Sequence, residues 1–84
     1  MFIHLGGDIV VRSADVIAIL DYHANSSKIT RQFIKHAEKE GRVMASSNEE
    51  SKSYVITKDK VYCSPISSLT LKRRANFVSS LESR

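Results

Sequence analysis

The chain has 84 residues, of which 42% are apolar and 26% charged, so it belongs to the globular rather than the disordered class. We expect residues 1–84 to fold as a single domain with a thin core, because a chain of this size buries only about 60% of the surface of its unfolded state. The run of roughly 20 apolar residues that crosses a bilayer is missing, and a single cysteine excludes an intramolecular disulfide, so we expect a cytoplasmic protein stabilised by packing.

The beginning of the chain predicts a β-hairpin followed by a strand. Residues 2–5 and 9–11 are rich in β-formers and flank the turn Gly6-Gly7-Asp8, which tolerates positive φ. Residues 16–20 are apolar at every position and too few for a helix, which is typical of a strand covered on both faces. We therefore predict that residues 16–20 form the central strand.

A helix is predicted after this strand, with a C-terminal stop at Gly41. Its candidate N-caps are Asn25, Ser26 and Ser27. Its apolar positions recur every four residues, at Ile29, Phe33 and Ala37. A short strand at residues 43–45 and an exposed polar loop at residues 46–51 follow.

The last third of the chain predicts a second hairpin and a closing helix. Residues 54–57 and 61–63 are β-formers on either side of a charged tip, and Pro65 ends the second strand. The closing helix is capped at residues 67–68, and an apolar stripe on Leu71, Ala75 and Val78 faces the core. We expect the C-terminus to fray over residues 79–84.

These elements follow one another in the order ββ-β-α-β-ββ-α. The order describes a small α+β domain in which two β-hairpins and a central strand pack with two helices.

The net charge of +4 and the pI near 9.5 favour polyanions, and the positive charge is concentrated in the two predicted helices. Residues 25–45 hold five bases and two acids, whereas residues 1–24 hold one base and three acids. Arg31, Lys35 and Lys39 form a basic stripe on the first helix, extended by Lys28 and Arg42. Glu38 and Glu40 offset part of this charge, so a solvated face and a phosphate-binding face are equally supported. The same alternatives hold for the basic cluster Lys72-Arg73-Arg74 on the closing helix.

No arrangement typical of catalysis or metal binding is evident. Cys63 would need a histidine base, and nothing in the spacing of His4, His23 and His36 supports one. The histidines also lack the paired short spacings of a zinc site, and Gly6-Gly7 is not part of a phosphate-cradling motif. We therefore expect a protein that is not an enzyme and that has no cofactor, metal or small-molecule substrate.

Several segments together resemble the RemA/RemB family of small bacterial extracellular-matrix regulators, and its RemB branch in particular. They are the opening MFIHLG, Ile19-Leu20-Asp21 followed by Ala24-Asn25, and YCSPISS at 62–68 leading into LKRRA at 71–75. The resemblance covers nearly the whole chain and implies a ring-shaped homo-oligomer that binds double-stranded DNA and regulates transcription of biofilm matrix genes. It implies a cytoplasmic, nucleoid-associated protein without a membrane partner.

Two departures from the family weaken its expected DNA-binding face. Arginines of the RemA branch are replaced by the stretch containing Glu49 and Glu50 and, before the central strand, by Asp15. The remaining candidate DNA contacts are Arg12, Lys28, Arg31, Lys35 and Lys52. An alternative is a non-catalytic interaction partner that assembles with a DNA-binding paralogue and does not bind DNA itself.

Overall fold

Two sheets and two helices make up the part of the chain that the computed structural model describes, residues 1–22 and 28–82, with side chains through residue 75. The first sheet is an antiparallel pair, and the second has four strands in the order β3-β5-β6-β4. The strands are β1 (Phe2–Gly6), β2 (Ile9–Arg12), β3 (Val16–Asp21), β4 (Val43–Ala45), β5 (Ser53–Thr57) and β6 (Val61–Ser64). The helices are α1 (Lys28–Lys39) and α2 (Ser68–Glu82), and the order of elements confirms the predicted α+β arrangement.

The four-stranded sheet lies between two layers, which gives the domain two apolar clusters. On one face, the β1–β2 hairpin and α2 cover the sheet, and the buried residues are Ile3, Leu5, Val11, Ile19, Val55 and Leu71. On the other face, α1 covers the sheet, and the buried residues are Ile34, Ala37, Ile56 and Val61. The short β4 completes the sheet by pairing in parallel with β6.

The predicted central position of residues 16–20 was wrong, because β3 is an edge strand that pairs, among the described strands, with β5 alone. Ile19 belongs to one apolar cluster, whereas Ala18 and Leu20 pack against the other. Burial on both faces produces an apolar run whether or not a second strand lies alongside, so the run does not fix the position of a strand within its sheet.

The β1–β2 hairpin is fastened to the large sheet through the carbonyl oxygen of Leu5. The hydroxyls of Ser46 and Ser64 both donate to it, at 3.0 and 2.6 Å. Ser46 belongs to a predicted exposed loop but is buried, because its hydroxyl makes this hydrogen bond to Leu5. Residues 48–50 of the same loop are exposed, as predicted. The turn of the hairpin requires positive φ at Gly6 and Gly7.

Each helix ends or begins as its sequence predicts. α1 stops in a Schellman arrangement, in which Gly41 has φ of 69° and the amide of Arg42 donates to the carbonyl of Ala37. The Ser67 hydroxyl caps α2 by accepting from the amide of Thr70 at 3.2 Å. The predicted N-caps of α1 lie outside the described residues, and α2 continues to Glu82, past the predicted onset of fraying.

Candidate nucleic-acid interface

The exposed face of α1 carries three of the five predicted DNA contacts side by side. Lys28, Arg31 and Lys35 line one shallow depression together with Gln32. Spacings of three and four residues place them on neighbouring turns of the helix. Within the described part of the chain, none of the three forms an ion pair or hydrogen bond, so their charges are available to an external anion. We call this surface the α1 basic face.

The packing of α1 explains why this face is directed to solvent. The side chains of Ile34 and Ala37 are buried against the sheet, and the basic positions lie on the far side of the helix. The expected offset by Glu38 is not seen among the described residues. Glu38 instead acts on Cys63 and Tyr54: burial is the main reason that the pKa values of these two residues are raised, and the charge of Glu38 contributes to both shifts.

Arg12 lies on a different surface, a polar groove between the end of β2 and the β5–β6 turn, which also contributes Lys58 and Lys60. Its guanidinium donates two hydrogen bonds to the carboxylate of Asp15, from Nε at 3.1 Å and from Nη2 at 3.3 Å. The ammonium of Lys58 lies 3.6 Å from the same carboxylate. The hydrogen bond from Arg12 is the main reason that the pKa of Asp15 lies below its ordinary value, so this carboxylate stays ionised at neutral pH.

Lys52 belongs to neither surface. It precedes β5 with an exposed side chain, while its backbone donates to the carbonyl of Ser64 at 2.7 Å and accepts from the amide of Tyr22 at 3.0 Å. On α2, the basic residues 72–74 are exposed, and Arg74 donates to the carbonyl of His4 at 3.1 Å. The structure therefore brings Lys28, Arg31 and Lys35 together and leaves the other two predicted contacts, Arg12 and Lys52, apart from them.

Sequence reasoning missed the ion pairs of Asp15 with Arg12 and Lys58. The spacing of three residues between Arg12 and Asp15 was a usable signal, because Arg12 directly precedes the single 3-10 turn Ser13–Asp15 and Asp15 is its last residue. The contact with Lys58 had no such signal, since it depends on the pairing of β3 with β5.

An apolar groove lies beside the α1 basic face, where α1 meets the edge strand β3. Here the predicted apolar stripe of α1 needs correction: Ala37 is buried, but Ile29 is 78% and Phe33 39% exposed. Ile17, in the bulge of β3, is 67% exposed and lies on the same groove. A spacing of four residues drifts around a helix of 3.6 residues per turn, so the stripe leaves the buried side. The groove is lined by Ile17, Ala18, Leu20, Ile29, Thr30, Phe33 and Ile56.

Comparison with known proteins decides the family. The family described as "RemA-like: Extracellular matrix regulatory protein A-like" matches residues 2–75. This chain belongs to the RemA-like family. It is also similar to Extracellular matrix regulatory protein B of Bacillus subtilis (strain 168), with 43% identity over 83 residues that cover 99% of this chain and 100% of the relative. The resemblance noted in the sequence, including that to the RemB branch, is confirmed.

The single thiol of this RemA-like chain has the environment of a structural cysteine. Cys63 is half-buried in β6, and burial raises its pKa, so the nucleophilic thiolate is disfavoured. The candidate base His23 lies outside the described residues, and the ring of His4 interacts with the carbonyl of Gly7 at 2.9 Å. Among the described side chains, no three of His, Cys, Asp or Glu gather at one point. No described helix is long and apolar enough to span a membrane.

Proposed function

We propose that this RemA-like chain is a DNA-binding transcriptional regulator of biofilm matrix genes that acts as a ring-shaped homo-oligomer. The proposal rests on the α1 basic face, where Lys28, Arg31 and Lys35 surround one depression and form no ion pair with any residue that the structure describes. Positions 28 to 35 span about 10 Å of helix, over which a duplex presents about six phosphates. Arg12 and Lys52 are proposed as secondary contacts of the same duplex in a cytoplasmic, nucleoid-associated protein.

Three phosphate contacts per protomer are too few for tight binding on their own. Each contact adds only about 0.9 to the slope of log affinity against log salt. A ring repeats the α1 basic face on every protomer, and linked weak contacts gain affinity through high effective concentration. Assembly and DNA binding are thus two parts of one proposal.

Two exposed apolar surfaces support assembly. One is the apolar groove of α1 and β3, and the other is the outer side of the β1–β2 hairpin, where Phe2 and Val10 are exposed. They lie on opposite sides of the four-stranded sheet, because α1 covers one face and the hairpin the other. A contact between two different surfaces is heterologous and closes into a ring when its rotation permits. We propose that the hairpin of one protomer docks on the groove of the next.

Size-exclusion chromatography with light scattering tests the function directly, with and without a promoter-length duplex at about 50 and about 500 mM salt. We expect a homo-oligomer that co-elutes with DNA at low salt and releases it at high salt. If the folded, assembled protein does not co-elute with DNA at low salt, DNA binding by this chain is contradicted. That result would favour the alternative of an interaction partner for a DNA-binding paralogue, which the exposed Glu49 and Glu50 also favour.

Assembly is tested by Ile29→Asp, for which we expect a fall in mass to that of a monomer at micromolar concentration. A carboxylate in the groove would have to be desolvated in the proposed interface. Leu69→Asp is a matched control, because Leu69 is also exposed. Ile29 and Leu69 are each the second residue of their helix, where the helix dipole stabilises an acidic side chain. If both variants assemble like the parent chain, the groove is not the interface.

A further inference from the structure

Part of the positive charge in the polar groove between β2 and the β5–β6 turn is already paired with a carboxylate of the same groove. Arg12, Lys58 and Lys60 line it, but the first two converge on the carboxylate of Asp15. The side chains of Arg12 and Lys58 are both 65% exposed, so each can be reached from outside without any change in the fold. The carboxylate of Asp15 therefore offsets part of the positive charge that Arg12 and Lys58 give to this groove.

The contact between Arg12 and Asp15 has the geometry by which arginine binds a phosphate. Two guanidinium nitrogens, Nε and Nη2, point at the two different carboxylate oxygens. Arginine uses the same fork for carboxylate and phosphate groups, so an oxyanion of a DNA backbone would compete with Asp15 for the same donors.

The backbone keeps the groove in place independently of these ion pairs. The amide of Lys58 donates to the carbonyl of Asp15 at 3.2 Å, which ties the β5–β6 turn to the 3-10 turn. Within the β5–β6 turn, the amide and hydroxyl of Thr57 both donate to the carbonyl of Lys60, at 2.8 and 2.9 Å. Removing the charge of Asp15 should therefore release two cations without moving them.

We infer that Asp15 is an internal competitor for DNA phosphate, which holds Arg12 and Lys58 in an intramolecular pair and so lowers the affinity of this surface for the duplex. This inference rests on the proposed function and extends it, because it identifies a second DNA-facing surface and the residue that limits it. The α1 basic face has no such internal anion among the described residues and is the stronger contact.

Asp15→Asn tests this role, with fluorescence anisotropy of a labelled duplex measured at several salt concentrations. We expect tighter binding and a salt slope steeper by up to about 1.8 per engaged protomer, since two cations are released and each phosphate contact contributes about 0.9. Between about 200 and 50 mM salt, the advantage over the parent chain should widen about 3.5-fold for each added contact.

Asp59→Asn is the matched control, because Asp59 lines the same groove and its replacement adds the same unit of charge. Within the described residues, Asp59 takes part in no ion pair with Arg12 or Lys58. We expect Asp59→Asn to increase the affinity for DNA only slightly. When Arg12→Ala is combined with Asp15→Asn, we expect it to remove most of the increase in affinity that Asp15→Asn gives alone.

The possible outcomes separate this inference from the proposed function. If the parent chain binds DNA and the two Asn variants gain equally, only net charge matters and Asp15 is not a competitor. If Asp15→Asn binds DNA and the folded, assembled parent chain does not, the role of Asp15 is supported, whereas DNA binding by the parent chain is contradicted. If neither binds at low salt while both are folded and assembled, both the inference and the proposed function are overturned.

Discussion

Gly7→Ala should lower the free energy of unfolding by about 3 kcal/mol or more, a large part of the stability of a domain this small. Gly7 has φ of 56°, and an added Cβ would overlap the carbonyl oxygen of Ser46. The strain of positive φ and the clash with a backbone atom add together, because neither can be relieved by a side-chain rotation. The hairpin would have to move away from Ser46, whose hydroxyl helps to fasten it at Leu5. Urea denaturation followed by circular dichroism measures the loss.

Gly41→Ala is the control that separates backbone strain from the clash. Gly41 has φ of 69°, similar to that of Gly7, but among the described residues no atom beyond the adjoining chain lies within 4 Å of the position that a Cβ would take. We expect a loss of about 1 kcal/mol from the left-handed conformation alone. Equal losses in the two variants would show that the hairpin does not pack on the residue 46–47 segment as described.

Leu71→Ala should lower the free energy of unfolding by about 2 to 5 kcal/mol, the range observed when a fully buried leucine is replaced by alanine. Leu71 is 0% exposed and lies in the cluster that joins α2, the β1–β2 hairpin and the sheet. The loss combines the apolar surface removed from the core with the cavity left behind. Chemical denaturation gives the value, and the same experiment on Leu69→Ala is the control.

Leu69 is on the same helix but 59% exposed, so its replacement should change stability by no more than about 0.5 kcal/mol. A small effect at Leu71, or similar effects at the two positions, would mean that α2 does not pack on the sheet through this face.

Local signals in the sequence were sufficient to predict the elements of the fold. The turn at Gly6-Gly7, the Schellman stop at Gly41 and the cap at Ser67 each depend on residues within one turn of chain, and each is found in the structure. The position of β3 at the sheet edge was not predictable in this way, because its partner β5 begins at Ser53, far along the chain. Alternation and apolar runs report on burial of faces, not on neighbours within a sheet.

In the candidate site, too, the features that depend on local spacing were predictable and those that depend on long-range packing were not. The grouping of Lys28, Arg31 and Lys35 follows from helical spacing and was predicted. The exposure of Ile29 was not, because the side of α1 that faces the sheet depends on how the helix sits on β3 and β5. The contact of Lys58 with Asp15 likewise needs a long-range strand pairing, whereas the pair of Arg12 with Asp15 is local and could have been predicted from its spacing.

The salt dependence of DNA binding by the variant Lys28→Ala/Arg31→Ala/Lys35→Ala tests the central claim most directly. If the α1 basic face contacts the duplex, the slope of log affinity against log salt should become shallower than that of the parent chain by at least about 2.7, or about 0.9 for each lost contact. A charge-matched variant with Lys72, Arg73 and Arg74 replaced by alanine should keep most of the slope. Equal slopes in the two variants, or a larger loss in the second, would contradict the assignment of α1 as the DNA-contacting surface.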